Sequence, residues 1–280
     1  MLNKRIASRY LKPLMPIPTA MAKSGKPLTG IRCVLFDIYG TLLISASGDI
    51  SISQNQKQPN DKIEHLIKKY GIRSDPQSLM TALNQTIAST HEGKRKNGIL
   101  FPEVEIDRIW MQVLNTPRRN FIRKFALEYE LSVNPVYPMP HSEELLQACR
   151  SRKIIMGLIS NAQFYTEYLL KWFLGAAPED LGFNPELIIL SYQTGYAKPS
   201  PELFRKAAAA LAEMNIQPRA ALFAGNDMLN DILPAKQAGF KTALFAGDNR
   251  SLRLRKDDPR CRSLSADIVL TDLIQLLDFI

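Results

Sequence analysis

Ile31-Arg32-Cys33-Val34-Leu35-Phe36-Asp37-Ile38-Tyr39-Gly40-Thr41-Leu42 is the stretch on which the fold turns. Beyond Arg32 it is apolar at every position until Asp37, the way a parallel strand covered on both faces reads. In open parallel sheets, ligands bind beyond the carboxyl ends of the strands. The pattern therefore puts Asp37 where chemistry takes place, with Gly40 free to make a sharp turn beside a ligand. A strand that ends in Asp also serves simply to cap the segment after it, so the rest of the chain has to decide.

Working outward, the chain beyond residue 134 alternates apolar runs with helical patterns. It predicts helix 142–152, strand 154–159, helix 163–173, strand 187–190, helix 201–214, strand 221–225, helix 228–238 and strand 241–246. Such alternation indicates βαβ units and an α/β fold with a parallel sheet. Residues 267–270 are expected to add an edge strand before a closing helix. Between 61 and 134 the spacing is helical instead: Ile63, Leu66, Ile67 and Tyr70, then Leu79, Leu83 and Ile87, then Ile109 and Val113. No strand pattern interrupts this block. Residues 42–60 read as a short flap and a Gln- and Asn-rich linker, and Pro135, Pro138 and Pro140 as a stiff return. The expected division is a basic irregular arm over 1–30, a core formed by 31–44 and 135–280, and a helical insert over 45–134.

The 280 residues are 45% apolar, enough for a substantial core, and no apolar stretch approaches a membrane span. The basic N-terminus is broken by Pro13, Pro16 and Pro18 and lacks the apolar region of a secretory signal. Cys33, Cys149 and Cys261 are odd in number and lie in or near apolar segments, which reads as buried thiols of a reducing, cytoplasmic compartment. The net charge of +9 is mostly local: Lys4, Arg5, Arg9, Lys12, Lys23, Lys26 and Arg32 precede the first acid. A second cluster, from Arg250 through Arg253 and Arg255 to Arg262, is diluted by Asp257 and Asp258 and reads as a solvated face. No basic stripe carries interleaved aromatics, so no specific nucleic-acid partner is expected.

Three further segments give Asp37 its context: Ile155-Met156-Gly157-Leu158-Ile159-Ser160-Asn161, Tyr196-Ala197-Lys198-Pro199-Ser200-Pro201, and Leu222-Phe223-Ala224-Gly225-Asn226-Asp227-Met228-Leu229-Asn230-Asp231. With Asp37 they follow the order and approximate spacing of the four motifs of the haloacid dehalogenase-like superfamily. The chain resembles that superfamily over roughly residues 31–246. The resemblance implies a Rossmann-like core with a C1-type helical cap inserted after the first strand. It makes Asp37 the nucleophile of a covalent mechanism, with Tyr39 and Thr41 in the same loop. Ser160 becomes the anion-binding hydroxyl, Asn161 a second polar contact, and Lys198 the ammonium that offsets charge in the transition state.

Two positions depart from the phosphatases of that superfamily. Tyr39 stands where they usually have an Asp acting as general acid and base. In this it resembles the L-2-haloacid dehalogenases, whose first motif reads Asp-x-Tyr-Gly-Thr. Asn226 stands where they usually have an Asp directly after the Gly, leaving either Asn226 or Asp227 on the metal side and Asp231 as the second acid. Oxygen ligands from Asp37, the Tyr39 carbonyl, Asn226 or Asp227, and Asp231 would suit Mg²⁺. Three clustered carboxylates would also repel one another without a cation. In the insert, His91 is a candidate for holding an anionic substrate or supplying a proton; a solvated helix end is the plainer reading.

Three functions follow. The first is a Mg²⁺-dependent hydrolase of a small anionic compound, a phosphomonoester. The second is a 2-haloacid dehalogenase without metal, and the third a non-catalytic protein that binds a ligand or partner. Oligomeric state is not legible.

Overall fold

A computed structural model describes residues 2, 4, 9–10, 12–47 and 60–280. Its main sheet has seven strands in the order β1-β9-β8-β7-β2-β5-β6. These are β1 (Ser24–Gly25), β2 (Cys33–Phe36), β5 (Ile155–Ser160), β6 (Phe183–Leu190), β7 (Ala221–Gly225), β8 (Lys241–Phe245) and β9 (Ile268–Leu270). Only β1 runs antiparallel to its neighbour. β2 lies inside the sheet between β5 and β7, Phe36 lying opposite Leu158 of β5 and Ala224 of β7. This register brings the carboxyl ends of three strands to one edge.

Both faces of the sheet are covered, which explains the unbroken apolar runs. Alternate β2 residues serve opposite sides. Val34 and Phe36 pack with Leu145 and Leu146 of α5 (Ser142–Ser151) and with Leu273 and Leu276. Cys33 and Leu35 pack with Leu203, Phe204 and Leu211 of α8 (Pro201–Glu213). Burying a side chain of this size contributes about 1.5–3 kcal/mol. α8 starts where its sequence says it should, because Ser200 accepts the Glu202 N–H and Pro201 gives up no needed donor.

Between β3 (Leu43–Ser45) and β4 (Val136–Pro138), which pair antiparallel, the described residues form four helices: α1 (Asn60–Tyr70), α2 (Pro76–Lys96), α3 (Ile106–Val113) and α4 (Arg119–Val133). Trp110 anchors their core, its ring edge-on to Phe125 and Tyr129 at centroid distances of 4.9 and 5.1 Å. The linker expected over 48–59 lies outside the described residues.

Several expectations need correcting. The strand at 268–270 is not an edge, because β1 from the N-terminal arm pairs outside it. The arm is therefore anchored. Tyr10 donates to Glu128 of α4, the Ile17 N–H to Asp248, the Thr19 hydroxyl to the Ala246 carbonyl and the Leu28 N–H to the Phe279 carbonyl. The closing helix is a 3₁₀ segment (Leu273–Asp278) with Asp272 and Gln275 forming a capping box. The stiff return is itself a strand, β4. The helix expected over 228–238 splits into a π-helical turn (Met228–Ile232) and α9 (Leu233–Gln237). That wider turn carries Asp231, whose side chain reaches into the site. The remaining helices are α6 (Thr166–Phe173), which begins three residues later than expected, and the single turn α7 (Ser191–Thr194).

Candidate active site

Asp37 follows β2 directly, its N–H donating to the Ala224 carbonyl at 2.9 Å. Lys198 reaches it from the loop between α7 and α8. The ammonium lies 2.7 Å from Asp37 Oδ1 and 2.5 Å from Asp231 Oδ1, and all three residues are buried. Burial pulls the Lys198 ammonium down, but Asp231 and Asp37 together more than offset it and hold it above the usual lysine range. Burial pushes the Asp231 carboxyl up to about 7, with Lys198 opposing and the Asp37 and Asp227 carboxylates adding to the rise.

Each member of this trio is fixed by neighbours. Asn161 accepts the Lys198 N–H at 2.7 Å through Oδ1 and donates back to its carbonyl at 3.3 Å, clamping that stretch of main chain. Asp231 Oδ2 accepts the Asp227 N–H at 2.9 Å. Gly225 makes the approach possible, since a Cβ there would lie 2.5 Å from the Asp231 carboxyl carbon. Gly40 has φ +84°, and a Cβ there would meet Ser251 at 2.6 Å.

Three expected roles look different in three dimensions. The Ser160 hydroxyl donates to the Asn161 carbonyl at 3.3 Å and Ser160 does not line the cavity, whereas Asn161 does. Tyr39 lines the cavity, but its hydroxyl is paired with Thr166 Oγ1 at 2.8 Å. Burial and the neighbouring Glu130 push its pKa far above the tyrosine range. Thr41 is fully buried and donates to Asn226 Oδ1 at 3.2 Å, so it orients an amide.

The expected repulsion among Asp37, Asp227 and Asp231 is answered within the chain. Lys198 lies between two of them, and Arg255 holds Asp227 with its nearest nitrogen 2.5 Å away. Asp227 further accepts the N–H groups of Leu229 and Asn230. The electrostatic argument for a metal thereby loses its force. Among the described residues, no group of three or more His, Cys, Asp or Glu side chains is arranged to hold a metal ion. Asn226 turns its amide nitrogen to the Ser251 carbonyl at 2.7 Å and its oxygen toward Thr41.

These groups share a cavity of about 330 Å³ with residues the sequence did not single out. Arg253, which lines it, comes from the basic stretch read as a solvated face, as does Arg255, the partner of Asp227. That stretch runs beside the site, with the Arg253 N–H on the Asn226 carbonyl and the Met228 N–H on the Arg253 carbonyl, both at 2.9 Å. Glu130 lines the opposite wall, accepting from Asn134 Nδ2 at 3.1 Å. Burial pushes its carboxyl up against the opposing hydrogen bonds from Asn134 and Tyr165. Glu103 also lines the cavity, its carboxylate accepting the Ser191 hydroxyl at 2.7 Å. Gln163 ties the insert to the core, donating to the Val104 carbonyl and accepting the Ile106 N–H at 2.9 Å each. His91 lines the cavity with a buried Nε2 that has no hydrogen-bond partner.

The carboxylate that follows β2 is thus paired with a buried lysine. The profile of the haloacid dehalogenase-like hydrolases matches residues 31–239, and the chain belongs to that family. Among proteins of assigned activity, a glyceraldehyde 3-phosphate phosphatase from Pyrococcus furiosus is 35% identical over 94 residues, 33% of this chain and 35% of that protein. A phosphoserine phosphatase from Thermus thermophilus is 28% identical over 138 residues, 49% of each chain. The matched stretches thus span half or less of those relatives. A solved 2-haloacid dehalogenase from Pseudomonas syringae pv. Tomato DC3000 superposes with a TM-score of 0.53 at 17% identity, covering 89% of this chain and 97% of that one. At that identity the likeness is one of fold.

Proposed function

We propose that this protein is a phosphohydrolase of small phosphomonoesters, with Asp37 as nucleophile, the helical insert as substrate cap and Mg²⁺ as helper ion. The observation that carries the reading is the Lys198 ammonium, buried between Asp37 at 2.7 Å and Asp231 at 2.5 Å, in a ligand-sized cavity. The phosphatase activity of both relatives supports it.

An Asp37 oxygen attacks phosphorus, the ester oxygen departs, and water then hydrolyses the aspartyl phosphate. Lys198 stabilises the negative charge that gathers on the phosphoryl oxygens. Asp231 and Asn161 are positioning residues that aim Lys198. Tyr39 is a poor proton donor, being hydrogen-bonded and shifted away from neutrality. The proton for the departing oxygen falls to Glu130, a cavity carboxyl that burial pushes toward its protonated form. Oxygen donors of the cavity that no arginine engages include the carboxylates of Asp37 and Asp231 and the Asn226 amide. Mg²⁺ needs only one or two carboxylates and otherwise takes water and substrate oxygens, so this set fits a lightly held ion. When bound, it would offset charge on the phosphoryl group. Three buried, unpaired cysteines fit a reducing compartment such as the cytoplasm.

A dehalogenase is the second reading, favoured by Tyr39 lining the cavity alongside Asp37. The deciding experiment is phosphate release from a panel of phosphomonoesters, with Mg²⁺ and with chelator, beside Asp37→Asn. Release that needs Mg²⁺ and disappears in the variant is expected. Halide release from 2-haloacids in chelator would transfer the assignment to the dehalogenase. Ligand binding without turnover of either class would leave a binding protein.

A further inference from the structure

The wall that the helical insert gives to the cavity has a chemistry of its own. Leu83, Ile87 and His91 recur every fourth residue along α2, so a single stripe of that helix faces the cavity. Trp110 of α3 and Tyr129 of α4 complete an apolar, aromatic surface. Two of these lining residues carry a buried polar atom with no hydrogen-bond partner among the described residues: Nε1 of the fully buried Trp110 and Nε2 of His91. Unpaired buried donors are rare because they are costly, and at a binding wall a ligand is what completes them.

The charges of this wall are equally informative. Glu103 and Glu130 supply carboxyl groups, while no lysine or arginine of the insert lines the cavity among the described residues. His91 is pulled below its usual value by burial, then by Arg95 and Lys94, so it is neutral near pH 7. A second anionic group on the substrate would be buried against this wall with no cationic side chain of the insert lining the cavity to meet it, among the described residues. A hydroxyl group fits far better. It donates to a carboxyl oxygen and accepts from an indole or imidazole N–H, while aromatic and aliphatic side chains cover the adjoining C–H surface.

Building on the phosphomonoester reading above, we propose that the part of the substrate beneath the insert is an uncharged, polyhydroxylated body. The enzyme then takes sugar or polyol monophosphates, with Trp110 and His91 as specificity-determining residues.

The test compares kcat/KM, with Mg²⁺ present, for four probes: a hexose 6-phosphate, n-hexyl phosphate, 2-phosphoglycolate and a hexose bisphosphate. The expected order puts the hexose monophosphate at least tenfold above the alkyl phosphate and a hundredfold above both doubly anionic probes. Trp110→Phe, and separately His91→Gln, should lower the hexose-to-alkyl ratio at least fivefold, chiefly through KM for the hexose. The ratio is insensitive to a general loss of folded enzyme, and two substitutions guard against one that disturbs packing. Turnover of either doubly anionic probe equal to that of the hexose monophosphate would overturn the proposal. So would an unchanged ratio in both variants. No phosphate release from any of the four would overturn the phosphohydrolase reading itself, a separate outcome.

Discussion

Replacing Lys198 with Met removes one cation from between two buried carboxylates and should produce a stability defect that depends on pH. The Asp37 and Asp231 side chains are 7% and 1% exposed, and methionine fills much of the lysine stem's volume without its charge. Breaking a buried ion pair by deleting one partner costs about 3–5 kcal/mol. A carboxyl can escape that cost by binding a proton, each unit of pKa being about 1.4 kcal/mol. Burial already pushes the Asp231 carboxyl up to about 7 with Lys198 opposing the shift, so losing the lysine raises it further. A carboxyl whose folded pKa is raised contributes stability that is fully present below its unfolded pKa, about 3.9, and is lost progressively up to the folded pKa. Wild type has finished losing it at about 7, whereas the variant, with the higher folded pKa, goes on losing it above that pH. At pH 6 the variant should therefore lie close to wild type. At pH 9 it should fall short by about 3–5 kcal/mol, on the order of 10 °C in Tm for a chain of this size. The assay is thermal unfolding of both proteins in chelator at half-unit steps between those values. A gap that stays constant across the range would refute the charge argument and leave only lost packing.

Asn226→Asp should tighten Mg²⁺ binding about tenfold, roughly 1.4 kcal/mol, because it adds a carboxylate beside Asp37; calorimetric titration of the apoprotein reads this directly, and an unchanged Kd would remove Asn226 from the ion site. Glu130→Gln should reduce kcat by about 10²-fold or more for an alkyl phosphate yet little for p-nitrophenyl phosphate, whose leaving group needs no proton. Equal losses on the two substrates would deny Glu130 the acid role. His141 Nδ1 lies 2.8 Å from Asp272, and that partner raises its pKa. The pair is partly exposed, so the charged form contributes about 0.2–1 kcal/mol, present below pH 6.5 and lost as pH rises through the raised value. His141→Asn, which tolerates the left-handed φ of 59° at that position, should then lower Tm at pH 5.5 and have little effect at pH 9.

The strands with cover on both faces, 33–36, 155–160, 221–225 and 241–245, were the most legible elements because burial on two sides enforces continuous apolar sequence. β1 was invisible for the opposite reason. Ser24 and Gly25 are exposed and the strand is only two residues long, so no apolar run marks it. β6 begins at Phe183 rather than 187 because Asn184, Pro185 and Glu186 break its apolar run. At the site, the family resemblance pointed to Asp37, Lys198, Asn161 and Asp231, which the structure brings to one cavity. Spacing gives no account of what a side chain is already bonded to. Asp227 looked like a metal-side acid, yet it is engaged by Arg255, which lies 28 residues further on in a stretch whose charge resembled a solvated face. Glu130 was equally hidden, since an acid in an amphipathic helix ordinarily faces water.

Among its anchors, the N-terminal arm is held to the insert by Tyr10 on Glu128 and to the core by Ile17 on Asp248. The seven residue steps between those anchors reach at most about 25 Å when fully drawn out. The arm is therefore a leash. While both anchors hold, the insert can swing away from the sheet only within that radius, and a wider excursion has to release one of them first.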